Sequence, residues 1–207
     1  MSNPVTPSPT KLRRNRFVIV LIAMISFVPF AIAWYMAKHP ELVRDRERVN
    51  RGNLIDPARP QDYADLMQSP VTPAETLPEI KGHWVMVLVA PAGTCGPDCR
   101  DLVHKSGQIR LMLNKEISRV RRLLLVAAPA DRAQLQETMA ADPTLLVAEM
   151  NDKLGQQLRE AAGSAMTDGM LLLMDPFANV MMWYPAGFDP YDVLKDLQRL
   201  LRISQIG

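Results

Sequence analysis

Cysteine is nearly absent from this chain of 207 residues, which contains only Cys95 and Cys99. Two cysteines cannot staple a small secreted scaffold, and bridging so short a loop restricts the unfolded chain little. A local pair of this kind points to chemistry rather than stapling. Acidic residues are absent from residues 1–37, where Lys11, Arg13, Arg14 and Arg16 supply a charge of +4. The formal net charge of +2 therefore conceals a remainder with 20 basic and 22 acidic side chains. A slightly acidic bulk argues against nucleic acid as a partner. Also missing are a glycine-rich phosphate loop, a pair of catalytic carboxylates, a Ser-His-Asp constellation and internal repeats. A composition that is 48% hydrophobic and 22% charged excludes a disordered chain and a polytopic membrane protein.

What is present divides by position. Residues 1–16 read as a disordered basic tail. Residues 17–37 (FVIVLIAMISFVPFAIAWYMA) form a run without charge, about 31 Å long as a helix and sufficient for a bilayer core. Trp34 and Tyr35 stand where an interfacial aromatic belt would lie, and Pro29 is tolerated in a membrane helix. A cleaved signal peptide with Ala31-Ile32-Ala33 as its site is the alternative. The apolar run continues through that site to Ala37, which favours an uncleaved anchor holding the chain to membrane lipid through residues 17–37. The basic head places the N-terminus in the cytoplasm and the rest of the chain on the outer, periplasmic side of the inner membrane. Residues 38–80 read as a juxtamembrane stalk and a proline-rich extended lead-in, and residues 81–207 as the folded domain.

Within that domain, apolar runs predict buried strands at Trp84–Val89, Arg122–Ala127 and Met170–Met174, with shorter ones at Thr144–Ala148 and Val180–Tyr184. Helical spacing is expected over Asp98–Arg119, Ala130–Ala141, Asn151–Ala162 and Pro190–Ile203. Asp175-Pro176-Phe177-Ala178-Asn179 suits a hairpin turn. The order β-α-β-α-β-α-β-β-α is an α/β fold with a mixed sheet, and it resembles the thioredoxin-like arrangement.

Cys95 and Cys99 fall where the first core strand passes into the first helix, in Ala90-Pro-Ala-Gly-Thr-Cys95-Gly-Pro-Asp-Cys99. Pro97 suits the first helical turn, and Asp98 the positive helix terminus. Unpaired N–H groups at that terminus lower a thiol pKa, while Asp98 opposes thiolate formation. Cys99 lies about one turn beyond Cys95. At that separation the two thiols can either close a disulfide or share a soft metal such as Cu(I).

The stretch from Gly82 to Cys99 resembles the Sco/SenC family of cytochrome oxidase assembly proteins, and Leu171–Pro176 resembles that family's late strand and Asp-Pro turn. The resemblance implies a membrane-anchored thioredoxin-like domain whose Cys95 and Cys99 handle copper. It also implies partners among cytochrome c oxidase subunits or their assembly factors. Two departures stand out. Arg100 follows Cys99 where the family carries proline, and Thr167 occupies the position of the family's third copper ligand, a histidine. A hydroxyl is a poor Cu(I) ligand. Met166 has a soft thioether, but in a chain with 13 methionines packing is the better reading. His104 is spaced to turn away from both thiols, His83 opens the strand leading to the site, and His39 belongs to the membrane edge. Asp168-Gly169 reads as turn chemistry alone. Proline is also missing between Ala148 and Asp175, where thioredoxins carry a cis-proline.

The expected function is therefore assistance to cytochrome c oxidase maturation through a Cys95–Cys99 pair acting in thiol redox or as a weak Cu(I) site. The alternatives are a thiol-disulfide oxidoreductase for other extracytoplasmic proteins and a non-catalytic accessory protein of the oxidase.

Overall fold

A computed structural model describes residues 9–39, 50–163, 166–204 and 206. It separates into two compact units, Met1–Val49 and Asn50–Gly207. In the first, helix α1 covers Pro9–Lys38, and its stretch from Arg16 to Lys38 is long and apolar enough to cross a membrane. Lys38 sits 4.5 Å from the Trp34 ring, a cation–π contact at the end of the apolar run. The expected tail of residues 1–16 is thus shortened. Residues 9–16 continue the helix, as Lys, Leu and Arg favour, and residues 1–8 lie outside the described residues, as does most of the expected stalk, 40–49.

The second unit is one six-stranded mixed sheet in the order β1-β6-β5-β2-β3-β4. Its elements are β1 (Asn53–Pro60), α2 (Tyr63–Leu66), β2 (Trp84–Ala90), α3 (Pro97–Met112), β3 (Val120–Ala127), α4 (Arg132–Ala141), β4 (Leu145–Met150), α5 (Asp152–Ala162), β5 (Met170–Met174), β6 (Asn179–Tyr184) and α6 (Pro190–Ile203). Strands β2, β3 and β4 run parallel, while β5 is antiparallel to β2 and to β6. Every residue of β2 and β5 is buried, because helices cover both faces of the sheet. One face packs Met86, Leu88, Leu124 and Leu171 with α3, α4 and α6. The other packs Val85, Val87, Leu123 and Leu172 with Leu154 and Leu158 of α5.

The domain begins earlier than residue 81. Strand β1 pairs antiparallel with β6 from Asn53↔Trp183 to Pro60↔Asn179, with an irregularity between Leu54 and Arg59. Pro57 and Pro60 conceal the strand in the sequence but are tolerated at a sheet edge. Its entry is fixed by a buried carboxylate on α6. One oxygen of Asp196 accepts hydrogen bonds from the backbone N–H groups of Arg51 (2.8 Å) and Gly52 (2.9 Å) and from the Tyr184 hydroxyl (2.8 Å). Burial, reinforced by Asp196, pushes the Tyr184 phenol well above its ordinary range. At the opposite edge, residues 68–72 cover β4. The Glu149 N–H donates to Gln68 O (2.6 Å) and the Val147 N–H to Thr72 Oγ1 (2.9 Å).

The expected long helix from Asp98 to Arg119 divides. α3 stops at Met112, and Asn114, with φ of 50°, leads into a 3-10 helix over Asn114–Arg119. Asparagine tolerates that left-handed conformation. Within α3, Gly107 leaves room for the Arg122 guanidinium, whose Nη1 lies 3.1 Å from where a Cβ would stand. Arg122, on β3, is 1% exposed and ion-paired with Asp142.

Candidate functional site

Strand β2 ends at Ala90, and the chain turns through Gly93 before entering α3. Gly93 adopts φ +74°, and a Cβ there would meet Pro129 O at 2.9 Å and Ala127 O at 3.0 Å. The Asp131 N–H donates to Gly93 O at 3.1 Å, so the loop is pinned to the start of α4. Gly93→Ala is expected to cost about 2 kcal/mol or more through both the positive φ and the backbone contacts. A thermal melt of the variant measures it.

Gly96 is the N-cap of α3, and Pro97 takes the first helical position. Cys95 lies just before the cap and Cys99 within the first turn. Their Cα atoms are 5.0 Å apart and a disulfide joins them. Both are buried among the α3-side core residues. The Cys95 peptide is clamped from two directions. Its N–H donates to Gln134 Oε1 (2.8 Å), and its carbonyl accepts from Gln134 Nε2 (3.3 Å) and from the Arg100 guanidinium (3.0 Å). Arg100 also donates its own backbone N–H to Gly96 O at 3.0 Å. A proline at position 100 would supply neither donor.

A groove of about 570 Å³ opens beside Cys95, with Arg100, Val103 and His104 on the α3 side and Gln134, Glu137 and Asp142 on the far side. Cys99 does not line it, so of the two cysteines Cys95 borders the groove. His104 is exposed and within 3.0 Å of Gln108 Nε2; it shares the groove with Cys95. His83 approaches Lys81 O at 3.0 Å, at the far end of β2. His39 follows α1 in the other unit.

Thr167 is exposed in the loop before β5. Met166 is buried in the core on the opposite face of the sheet from the cysteines, which makes it a packing residue. Among the described residues no three His, Cys, Asp or Glu side chains gather into a possible metal site. Two sulfurs without a third donor do not fit a three-ligand copper centre. The chemistry the arrangement supports is thiol–disulfide exchange.

Sequence reasoning missed three contributors. Gln134 comes from α4 and Arg100 from the helix itself, and their value as clamps exists only in the fold. Asp168, read as turn chemistry, brings Oδ2 to 3.2 Å from the point where a Cβ on Gly96 would stand. A cis peptide does occur near the site, at Ala128-Pro129, but it precedes α4 and not β5.

Residues 84–204 match the family model described as transmembrane-like, thioredoxin-like, C-terminal domain. No curated protein matches the sequence. Among solved structures, apo Sco1 from Thermus thermophilus is 15% identical with a TM-score of 0.55, covering 75% of this chain and 99% of that one. Copper-bound yeast Sco1 is 15% identical with a TM-score of 0.49, covering 60% and 82%. A putative thioredoxin from Neisseria meningitidis is 14% identical with a TM-score of 0.45, covering 61% and 80%. At these identities the likeness is one of fold.

Proposed function

The chain belongs to the transmembrane-like, thioredoxin-like C-terminal domain family, and from that premise we propose that it is a membrane-anchored, Sco-like thiol–disulfide exchange protein assisting cytochrome c oxidase maturation. The observation that carries the reading is the buried Cys95–Cys99 pair at the strand–helix junction, with its leading peptide clamped by Gln134 and Arg100. The Sco/SenC resemblance around the cysteine motif supports the oxidase as the destination. The apolar helix over Arg16–Lys38 supports anchoring in the inner membrane, with the N-terminus inside and the folded domain on the periplasmic side.

In the reduced chain, the Cys95 thiolate attacks a sulfur of a partner disulfide. A mixed disulfide forms, and the partner's first sulfur leaves and takes up a proton. Cys99 then gives up its proton and attacks Cys95 Sγ, which closes the Cys95–Cys99 bond and releases the partner's second thiol. Two electrons and two protons pass to the partner. Gln134 and Arg100 hold the Cys95 peptide through both steps, and the positive end of α3 favours thiolate there.

Cells in which this protein carries Cys95→Ser, Cys99→Ser or both test the proposal. Oxidase activity is expected to fall to the level of the deletion strain in each. Oxidase activity unchanged in the double variant leaves only an accessory, non-catalytic role. Stoichiometric Cu(I) binding by the reduced chain, abolished in Cys95→Ser, would transfer the assignment to copper carriage.

A further inference from the structure

The loop from α5 to β5 brings a carboxylate to the end of α3 that holds the disulfide. Asp168 Oδ2 lies against Gly96, and Oδ1 is buried and finds no hydrogen-bond partner among the described residues. Gly169, at φ +84°, seats the loop tightly. A Cβ there would stand 3.2 Å from the Ala186 side chain and 3.4 Å from Asp98 Cβ. The carboxylate is therefore half-buried beside the cap of α3 and its first turn, with the Gly169 N–H donating to it while Oδ1 stays without a partner.

The charged groups around it are few. From α3 come Asp98, Asp101 and Lys105, the last two joined in an ion pair at 2.7 Å. The turn over residues 185–188 packs on the same side with no titratable group, and the described loop residues Met166 and Thr167 carry no charge. On the groove side of Cys95, Arg100 reaches the carbonyl, while His104 and Glu137 line the groove beyond it. The net field that Asp98 and Asp168 place at the cap is negative. Burial first, and the neighbouring Asp98 second, push the Asp168 carboxyl above its ordinary range, against the pull of the Gly169 N–H.

A helix N-terminus lowers the pKa of a nearby thiol, stabilises the reduced pair and makes the couple oxidising. A carboxylate at the same place opposes that effect. Resting on the redox reading above, we propose that Asp168 is a positioning residue that sets the reduction potential of the Cys95–Cys99 couple, opposing thiolate at the α3 cap and making the reduced pair a stronger electron donor.

The test is the equilibrium of the full chain, in detergent micelles, with dithiothreitol. The Cys95–Cys99 bond takes up two electrons and two protons, and the reagent closes its own disulfide. Asp168→Asn is expected to shift the equilibrium about tenfold towards the dithiol form at pH 7, equivalent to about 30 mV. It is also expected to flatten the pH dependence of that equilibrium and to speed alkylation of the reduced chain by iodoacetamide by about the same factor. Asp168→Glu, which keeps the charge, is expected to retain wild-type pH dependence. An Asp168→Asn equilibrium within twofold of wild type overturns the inference. So does a shift that leaves the pH profile unchanged, since that would reflect packing alone. A pair that fails to exchange with dithiothreitol at all overturns the redox reading itself; normal exchange without an Asp168 effect overturns this inference only.

Discussion

Replacing Asp196 with alanine is expected to cost the domain about 3–5 kcal/mol of stability. One oxygen of this carboxylate serves three donors, the N–H groups of Arg51 and Gly52 and the Tyr184 hydroxyl. Asp196 is 4% exposed, so water cannot readily replace it. Hydrogen bonds to a charged acceptor contribute about 1.5–3 kcal/mol each, and donors left buried without a partner add their desolvation cost. Non-additivity among three bonds to one atom keeps the total below their sum. Gly52 packs closely at this point, since a Cβ on it would stand 2.7 Å from the Met182 side chain. Asp196→Asn preserves an acceptor and is expected to lose only about 1–2 kcal/mol. Urea unfolding of both variants checks the ranking, and equal losses would contradict it.

Asp142→Ala is expected to cost a similar amount, about 3–5 kcal/mol, by a different route. It strands the Arg122 guanidinium, which is almost fully buried and donates to Asp142, Thr144 Oγ1 (2.6 Å), Val103 O (3.3 Å) and Ser106 Oγ (3.4 Å). The pair itself adds little over an apolar replacement, because desolvation offsets the attraction. Accordingly Arg122→Met combined with Asp142→Ala is expected to recover most of the loss, which a double-mutant cycle measures. The pair also fixes a pH dependence. Burial raises the Asp142 carboxyl, but the hydrogen bond and charge of Arg122, with help from Thr144, outweigh it and hold the group below its ordinary range. Stability from a lowered carboxylate is present above the unfolded pKa, about 3.9, and is lost as pH falls through the folded value. The gap in urea midpoint between wild type and Asp142→Ala is therefore expected to be full above about pH 5 and to narrow below about pH 4.

These two carboxylates also show where sequence reasoning stopped. The buried strands were legible because β2 and β5 are covered on both faces and read as unbroken apolar runs. α6 was legible from its leucine spacing, and Cys95 and Cys99 from their place between strand and helix. Strand β1 was not, since its two prolines break the pattern that identifies a strand, and only pairing with β6 makes it one. Asp196 offered a cue, an acid set among Val193, Leu194 and Leu197 on an otherwise apolar helical face. Arg122 and Asp142 offered less, because the contact that joins them spans 20 residues. Gln134 and Asp168 lay beyond reach for the same reason. Each acts on the cysteine loop only after distant segments meet, and neither has a local pattern that spacing could detect.

The cover over β4 has a consequence for assembly. With residues 68–72 occupying the outer N–H groups of Glu149 and Val147, and with Pro57 and Pro60 removing donors from β1 at the other side, neither border offers an intact ladder to a second sheet. Pairing of two copies edge to edge is therefore disfavoured at both borders of the sheet.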